Sequence, residues 1–293
     1  MAIITPDINR QLIEATKLPP LPRRRKRSLE DQPPVELKDT DAQTLVAGSG
    51  LIVAAENVPA QTRADLINCT LFAQLAATGD VPDSKKIMPW YDAYFRRLRI
   101  LGWAQSDYQF QDYKFKGKHA EAHKAVEKVL AALLGPQAAA IVVIQTTLQA
   151  LQEMDENSPW LTLFDKQSKV ETAARFQVAT AQVGPGGLLQ TALVAFHLKA
   201  RAKFTQVLFF KFSSSSTSLK YASGIATIQE SALNETRELI ADQLARYRRQ
   251  MGADVKFPPL RVATTQAVRI TRGRAATRSG AGAFKPRDVL TTL

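Results

Sequence analysis

The sequence predicts an α+β fold: an N-terminal helical bundle, then a four-stranded antiparallel meander, then a C-terminal helix. Apolar residues recur at helical spacing over about residues 59–168. Alternating, β-branched and aromatic residues replace them over about 169–230, and helical spacing returns over about 232–252. Helices followed by strands, without regular alternation of the two, indicate α+β rather than βαβ architecture.

A single folded body between two tails is predicted. The chain has 293 residues, of which 45% are apolar, and this is enough to bury a core without disulfides or metals. Residues 1–43 are rich in proline and basic residues, and residues 258–293 hold seven Lys and Arg against one Asp. Such segments cannot bury a core, so we expect disordered tails around a body at 44–257.

Four helices are predicted before the strands. They cover residues 59–78, 90–103, 117–134 and 137–154. Gly135 and Pro136 end the third helix, so the third and fourth helices should form an αα-hairpin.

Four strands are predicted after them. They cover residues 170–183, 188–202, 203–213 and 218–229. In the second strand the apolar residues fall mostly on even positions, and His197 and Lys199 fall on odd ones. This alternation predicts a sheet that helices cover on one face only. Gly184–Gly187 should form the first hairpin turn.

One group of residues is a candidate metal site. His119, His123 and Glu127 are spaced i, i+4, i+8, which would place them on one side of a helix, where they could bind zinc. A zinc site needs further ligands, and the sequence offers no second cluster. An exposed helical face stabilised by i,i+4 pairing is the alternative, and we predict no cofactor.

Catalytic motifs are not found in the sequence. There is no Gly-x-Ser-x-Gly motif, and Cys69 lies in an apolar stretch that predicts a small buried side chain. Gly184–Gly187 leads into a strand, which favours a hairpin turn over a phosphate-binding loop. We therefore expect a protein that is not an enzyme.

Aromatic and basic residues are concentrated in one region. Nine of the 22 aromatic residues lie between Trp90 and Phe115, among several Arg and Lys. Exposed rings could stack on bases while the cations contact phosphates. The helical spacing of Trp90, Tyr94 and Leu98 fits a buried stripe instead. Nucleic-acid binding, through this region or the basic tails, is one alternative function.

One predicted strand is apolar on both faces. Its candidate interaction residues are Val207, Leu208, Phe209, Phe210 and Phe212. Either helices cover both faces, or one face meets another subunit, since an exposed apolar strand would aggregate. The leading hypothesis is therefore a non-enzymatic binding or self-assembly protein that forms a homo-oligomer or contacts a protein partner.

A hydrophobic hairpin suggests a different function. Residues 129–144 are apolar except around the Gly135–Gln137 turn, as in pore-forming proteins that keep such a hairpin hidden until they insert. No run of about 18 apolar residues occurs, so no transmembrane segment is predicted. A membrane-active toxin or effector is the second alternative.

Basic side chains in the tails are candidate contacts to an anionic surface, either nucleic acid or membrane. They are Arg23, Arg24, Arg25, Lys26, Arg27, Arg269, Arg272, Arg274 and Arg278. The residues after Met1 lack the layout of a secretory signal. We expect cytoplasmic synthesis, with export only by a dedicated system.

Several short motifs resemble those of a group of uncharacterised bacterial proteins. The resemblance spans roughly residues 66–251 and implies one cooperative domain and a bacterial source, with no activity or site residues. Its motifs are Trp90–Phe95, Glu121–His123, Leu134–Pro136, Ser158–Trp160, Ala174–Gln177 and Leu208–Phe212.

Overall fold

A mixed β-sheet lies between two layers of helices, which confirms the α+β class. The helices that precede the strands in sequence are divided between the two faces of the sheet, so the predicted bundle is not formed. The computed structural model describes residues 6–19, 37, 40–105, 108–115, 119–153, 159–184, 189–201, 206–213, 217–228 and 230–250.

Seven helices occur in this part of the chain. They are α1 Pro6–Glu14, α2 Ala60–Asp80, α3 Ile87–Ile100, α4 Ala122–Leu134, α5 Ala139–Glu153, α6 Pro159–Ser168 and α7 Glu230–Gln250. The predicted helices correspond to α2, α3, α4, α5 and α7. Helix α1 lies within the predicted N-terminal tail, yet it packs on α7 and α3 and buries Ile13 completely. This part of the predicted tail is therefore folded.

Ten strands are present in the same residues. They are β1 Gln43–Ala47, β2 Gly50–Ala54, β3 Trp103–Gln105, β4 Gln111–Asp112, β5 Ala120–Glu121, β6 Lys169–Val170, β7 Ala173–Val183, β8 Leu189–Ala200, β9 Lys211–Phe212 and β10 Thr217–Ile228. The main sheet has the order β1-β2-β7-β8-β10-β3, with β4 on β10 and β6 on β7, while β5 and β9 pair separately. Strands β2 and β7 are parallel, and the other pairs are antiparallel.

The predicted four-stranded meander is wrong in one strand. Strands β7, β8 and β10 match three of the predicted strands, but residues 207–209 form a turn. The Val207 N–H donates to Asp165 Oδ1 at 2.9 Å, and the Leu208 carbonyl accepts from the His123 N–H at 2.7 Å. These contacts with α6 and α4 replace strand pairing, so packing overrides the local β-propensity.

Strands β1 and β2 form a hairpin that the sequence prediction missed. Both strands are buried along their whole length, so their sequences are nearly continuous apolar runs without alternation. Gly48 in the turn has φ +59°, and a Cβ there would collide with the Gln74 side chain. The Ser49 N–H donates to Gln74 Oε1 at 3.0 Å, which ties the turn to α2.

Each face of the sheet has its own core. The first core lies between the sheet and helices α1, α2, α3 and α7, and the second lies between the sheet and α4, α5 and α6. On β8, Leu193 and Ala195 enter the first core, while Val194 and Phe196 enter the second. The prediction of a sheet covered on only one face is therefore wrong.

Candidate functional site

The candidate metal residues do not share a helical face. Helix α4 begins at Ala122, so His119 precedes it and is exposed to solvent. The helical spacing that suggested the site therefore does not apply to His119. Among the described residues, no group of three or more His, Cys, Asp or Glu side chains could hold a metal ion.

His123 is buried at the start of α4. Its Nε2 lies 3.5 Å from Glu121 Oε2, and its ring centroid lies 5.2 Å from that of Phe209. Burial lowers the pKa of His123 below its usual value. This histidine lines an open cleft of about 550 Å³ between α4 and α5. The other lining residues are polar: Lys124, Glu127, Gln145, Gln149, Gln152 and Glu153.

The candidate interaction residues belong to the interior of the chain. Val207, Leu208 and Phe212 are buried in the second core, and Phe209 and Phe210 are half-buried against it. Of the two alternatives for this segment, the structure therefore matches the one in which these side chains are covered within the chain. The candidate basic contacts Arg23, Arg24, Arg25, Lys26, Arg27, Arg269, Arg272, Arg274 and Arg278 lie outside the described residues.

The concentrated aromatic residues form core packing. The Trp90 and Tyr94 rings stack at 5.4 Å, and both side chains are buried. Phe95 stacks on Tyr108 at 4.4 Å. Rings held in this way present no open stacking surface for bases, so the interpretation of Trp90, Tyr94 and Leu98 as a buried stripe is confirmed. Cys69 is buried as predicted, and burial raises its pKa to about 12.

The predicted αα-hairpin is confirmed as α4 and α5, which together cover part of the second core. Gly135 ends α4 at φ +89° and donates its N–H to the Ala131 carbonyl at 3.0 Å. Helix α5 carries no charged side chain before Glu153. The buried stripe of the hairpin is apolar and includes Val126, Val129, Leu130, Ile141, Ile144 and Leu148.

Few polar contacts attach this hairpin to the sheet within the described residues. Thr147 Oγ1 of α5 lies 2.7 Å from Thr44 Oγ1 of β1. The Ala140 N–H donates to Gln182 Oε1 of β7 at 3.0 Å. On the outer side of α5, Val142 is 56% exposed. At the start of α4, the Ala122 and His123 N–H groups also donate to the carbonyls of Phe210 and Leu208. Apolar contact therefore provides most of the attachment to the main sheet.

None of the helices in the described ranges is both long enough and apolar enough to cross a bilayer. Helix α5 has 15 residues and is about 22 Å long at 1.5 Å per residue. A bilayer core is about 30 Å thick.

Comparison with known proteins gives distant likenesses in structure only. No protein-family model matches the chain, and no curated protein matches it. A solved delta-endotoxin has 13% identity and a TM-score of 0.35, over 72% of this chain and 90% of that one. The Evf virulence factor has 12% identity and a TM-score of 0.36, over 72% of this chain and 85% of that one.

A third likeness is to the activated Cyt2Ba monomer from Bacillus thuringiensis subsp. israelensis. It has 11% identity and a TM-score of 0.26, over 45% of this chain and 78% of that one. Likenesses at these TM-scores carry no argument about function.

Sequence analysis missed a row of basic side chains across three strands. Arg175, His197 and Lys220 are far apart in the sequence, and the pairing register of β7, β8 and β10 brings them together. The odd position of His197 on its strand was the only signal, because a single sequence does not show register.

Proposed function

We propose that this protein is membrane-active, of the toxin or effector class, and that its α4–α5 hairpin leaves the sheet to enter a lipid surface. The observation that carries the proposal is the attachment of the hairpin, which is mainly apolar. Lipid chains exclude water from such a stripe as well as the sheet does. The proposal contains no catalytic step.

The outer side of α5 also suits an interface with lipid. Its exposed residues include Val142, Gln145 and Gln149, and none of these carries a charge. Uncharged amides cost much less to bring into a weakly polar environment than charged groups do. Because α5 is shorter than the bilayer core, we expect the hairpin to lie in the interfacial plane.

Covalent attachment of α5 to the sheet tests this proposal. The hydroxyl oxygens of Thr44 and Thr147 are 2.7 Å apart, so the double variant Thr44→Cys, Thr147→Cys places two thiols within reach of a disulfide. Dye release from vesicles of phosphatidylcholine and phosphatidylglycerol is measured for the oxidised and reduced forms. We expect the reduced form to release dye and the oxidised form to be inactive.

The reduced form of the same variant is the matched control, since it has the same sequence without the cross-link. Equal dye release by the oxidised and reduced forms would show that the hairpin does not leave the sheet. No release by the unmodified chain from vesicles of any charge would overturn membrane activity as a whole.

Self-assembly and nucleic-acid binding were motivated by apolar and aromatic side chains that would have to be exposed to make these contacts. Self-assembly was expected through Val207, Leu208, Phe209, Phe210 and Phe212, and these side chains are buried or half-buried against the second core. Nucleic-acid binding through Trp90–Phe115 required exposed rings. Contacts through the basic tails remain predictions for residues outside the described ranges.

A further inference from the structure

Arg175 of β7 is a buried cation without a hydrogen-bonded partner among the described residues. The side chain is 9% exposed, and its guanidinium carbon lies 3.9 Å from the centre of the Trp90 ring. Its Nε and Nη1 atoms are buried and donate no hydrogen bond to any described residue. Burial lowers the pKa of Arg175 to about 10. The contact with the Trp90 ring is a cation–π contact, and it uses none of the N–H donors of Arg175 in a hydrogen bond to oxygen.

Arg63 shows how the same fold satisfies a buried guanidinium. Arg63 is fully buried, and its nitrogens donate to four oxygens at 2.7–3.0 Å. These acceptors are the carbonyls of Val58, Asp41 and Ala55 and the side chain of Gln43. Buried charges normally have such partners, so the unpaired Nε and Nη1 of Arg175 indicate an acceptor beyond the described residues.

Three further basic side chains lie on the same face of the sheet as Arg175. Arg175 is directly opposite His197 on β8, and His197 is directly opposite Lys220 on β10. Cross-strand partners project to the same face of a sheet. His197 Nδ1 is also buried without a hydrogen-bond partner among the described residues. Lys199, two residues along β8, is exposed on the same face.

Acidic side chains do not neutralise this row. Lys220 Nζ lies 3.7 Å from Asp112 Oδ1, and both side chains are substantially exposed, so this pair is weak. Within the described ranges, no carboxylate forms an ion pair with Arg175 or His197. Arg175 and Lys220 flank His197 from the two neighbouring strands, and an anion beside His197 would be attracted to both cations.

We propose that the basic row formed by Arg175, His197, Lys199 and Lys220 binds a phosphate group. The planar guanidinium supplies a bidentate donor edge, His197 supplies a ring N–H, and the lysines supply charge at the solvent end. The row extends from buried Arg175 to exposed Lys199, which gives an anion a route from solvent. The site lies on the opposite face of the sheet from α4 and α5 and does not depend on the function proposed above.

Calorimetric titration of the full chain with inorganic phosphate at constant ionic strength tests the site. We expect saturable binding, about tenfold weaker in Arg175→Gln, because hydrogen bonds to charged groups are among the stronger ones. His197→Gln should weaken binding severalfold. Lys166→Gln is the matched control, since it removes one positive charge from an exposed position on α6.

Absence of saturable binding by the unmodified chain would overturn the site. Equal weakening by Lys166→Gln and by the row variants would also overturn it, because the effect would then be general electrostatic attraction. If Arg175→Gln does not fold, phosphate binding by His197→Gln tests the site instead. This variant should fold, because the His197 side chain is half-buried and lies near the end of its strand.

Vesicles of phosphatidylcholine with and without phosphatidic acid distinguish the source of the phosphate. Competition between phosphatidic acid vesicles and inorganic phosphate would assign the site to a lipid headgroup. Saturable phosphate binding without such competition would assign it to a soluble phosphate compound. The disulfide-linked Thr44→Cys, Thr147→Cys variant should bind phosphate normally in both cases, which separates this site from the function of the hairpin.

Discussion

At the scale of single residues, one buried ion pair joins two helices of the same layer. Asp65 of α2 is 5% exposed and accepts two hydrogen bonds of 2.8 Å from Arg237 of α7. Gln61 donates a third hydrogen bond to the same carboxylate at 3.0 Å. This geometry is bidentate and largely shielded from water, so it differs from a surface pair.

Arg237→Gln should therefore destabilise the fold by about 2 kcal/mol, because it leaves the Asp65 carboxylate without its charged partner. The free energy of unfolding in urea measures the effect. Arg10→Gln is the control, since Arg10 and Glu14 form an exposed pair on α1 and should contribute about 0.5 kcal/mol or less. Equal effects of the two substitutions would contradict this assignment.

His123 should make the fold sensitive to acid. Burial lowers its pKa in the folded state, so the unfolded state binds the proton more readily and stability falls as the pH drops through about 6.5. Glu121 and Glu127 oppose this effect, and Lys124 adds to it. Burial also lowers the pKa of His197, and the nearby cations Lys199 and Lys220 lower it further.

His123→Gln should therefore reduce the loss of thermal stability between about pH 7 and pH 5. Thermal unfolding at several pH values measures this loss. Exposed His119 provides the matched variant, His119→Gln, which should retain the full loss. A pH dependence that is unchanged in His123→Gln would show that this residue is not responsible.

Some residue-scale features could be predicted from the sequence. Burial of Cys69 followed from its apolar neighbours, and the turn at Gly135 followed from the Gly-Pro pair. The cross-strand pairing of Arg175 with His197 could not be predicted, because it depends on register between strands.

At the scale of elements, the turn of the α4–α5 hairpin is set by one glycine. Gly135 has φ +89°, and no atom lies within 4 Å of a Cβ placed there. Gly135→Ala should therefore cost about 1 kcal/mol from backbone strain alone, without a steric clash. Urea unfolding measures this cost. Ala131→Gly, one turn earlier in α4, should cost a similar amount through helix propensity and leave the turn unchanged.

The two Gly135 and Ala131 variants separate the turn from general helix stability. If the hairpin opens as a unit, Gly135→Ala should alter the rate of dye release more than Ala131→Gly does. Equal rates at equal stability would mean that the geometry of the turn plays no part in opening.

Elements with strong periodicity and clear end signals were predictable. Helices α2, α3, α5 and α7 lie within a few residues of their predicted ranges. Residues 207–210 were mispredicted because their β-branched and aromatic side chains fit either a strand or a buried turn, and contacts with α4 and α6 decide between them.

At the scale of the whole molecule, the edge strands of the sheet are short. Edge strand β1 has five residues, all buried, and edge strand β3 has three. Short edge strands disfavour strand addition between copies. We therefore expect the full chain to be monomeric without lipid and to associate only on vesicles, as light scattering can measure. A stable oligomer without lipid would contradict this expectation.

The two-sided covering of the sheet was the main feature that sequence reasoning missed. Alternation in β8 indicated one wet face because, near the end of that strand, His197 is half-buried and Lys199 is exposed. Which helices pack on which face is a long-range property, and helical periodicity alone does not reveal it.

The parallel pairing of β2 with β7 has a consequence for the order of folding. Gly50 pairs with Gln177, so this ladder joins parts of the chain that leave the ribosome far apart in time. Contacts of such sequence separation form slowly, because a long loop must close before they are made. During synthesis, the β1–β2 hairpin must wait with one edge unpaired until β7 emerges. The nascent chain is therefore most in need of a chaperone in the interval between these two strands.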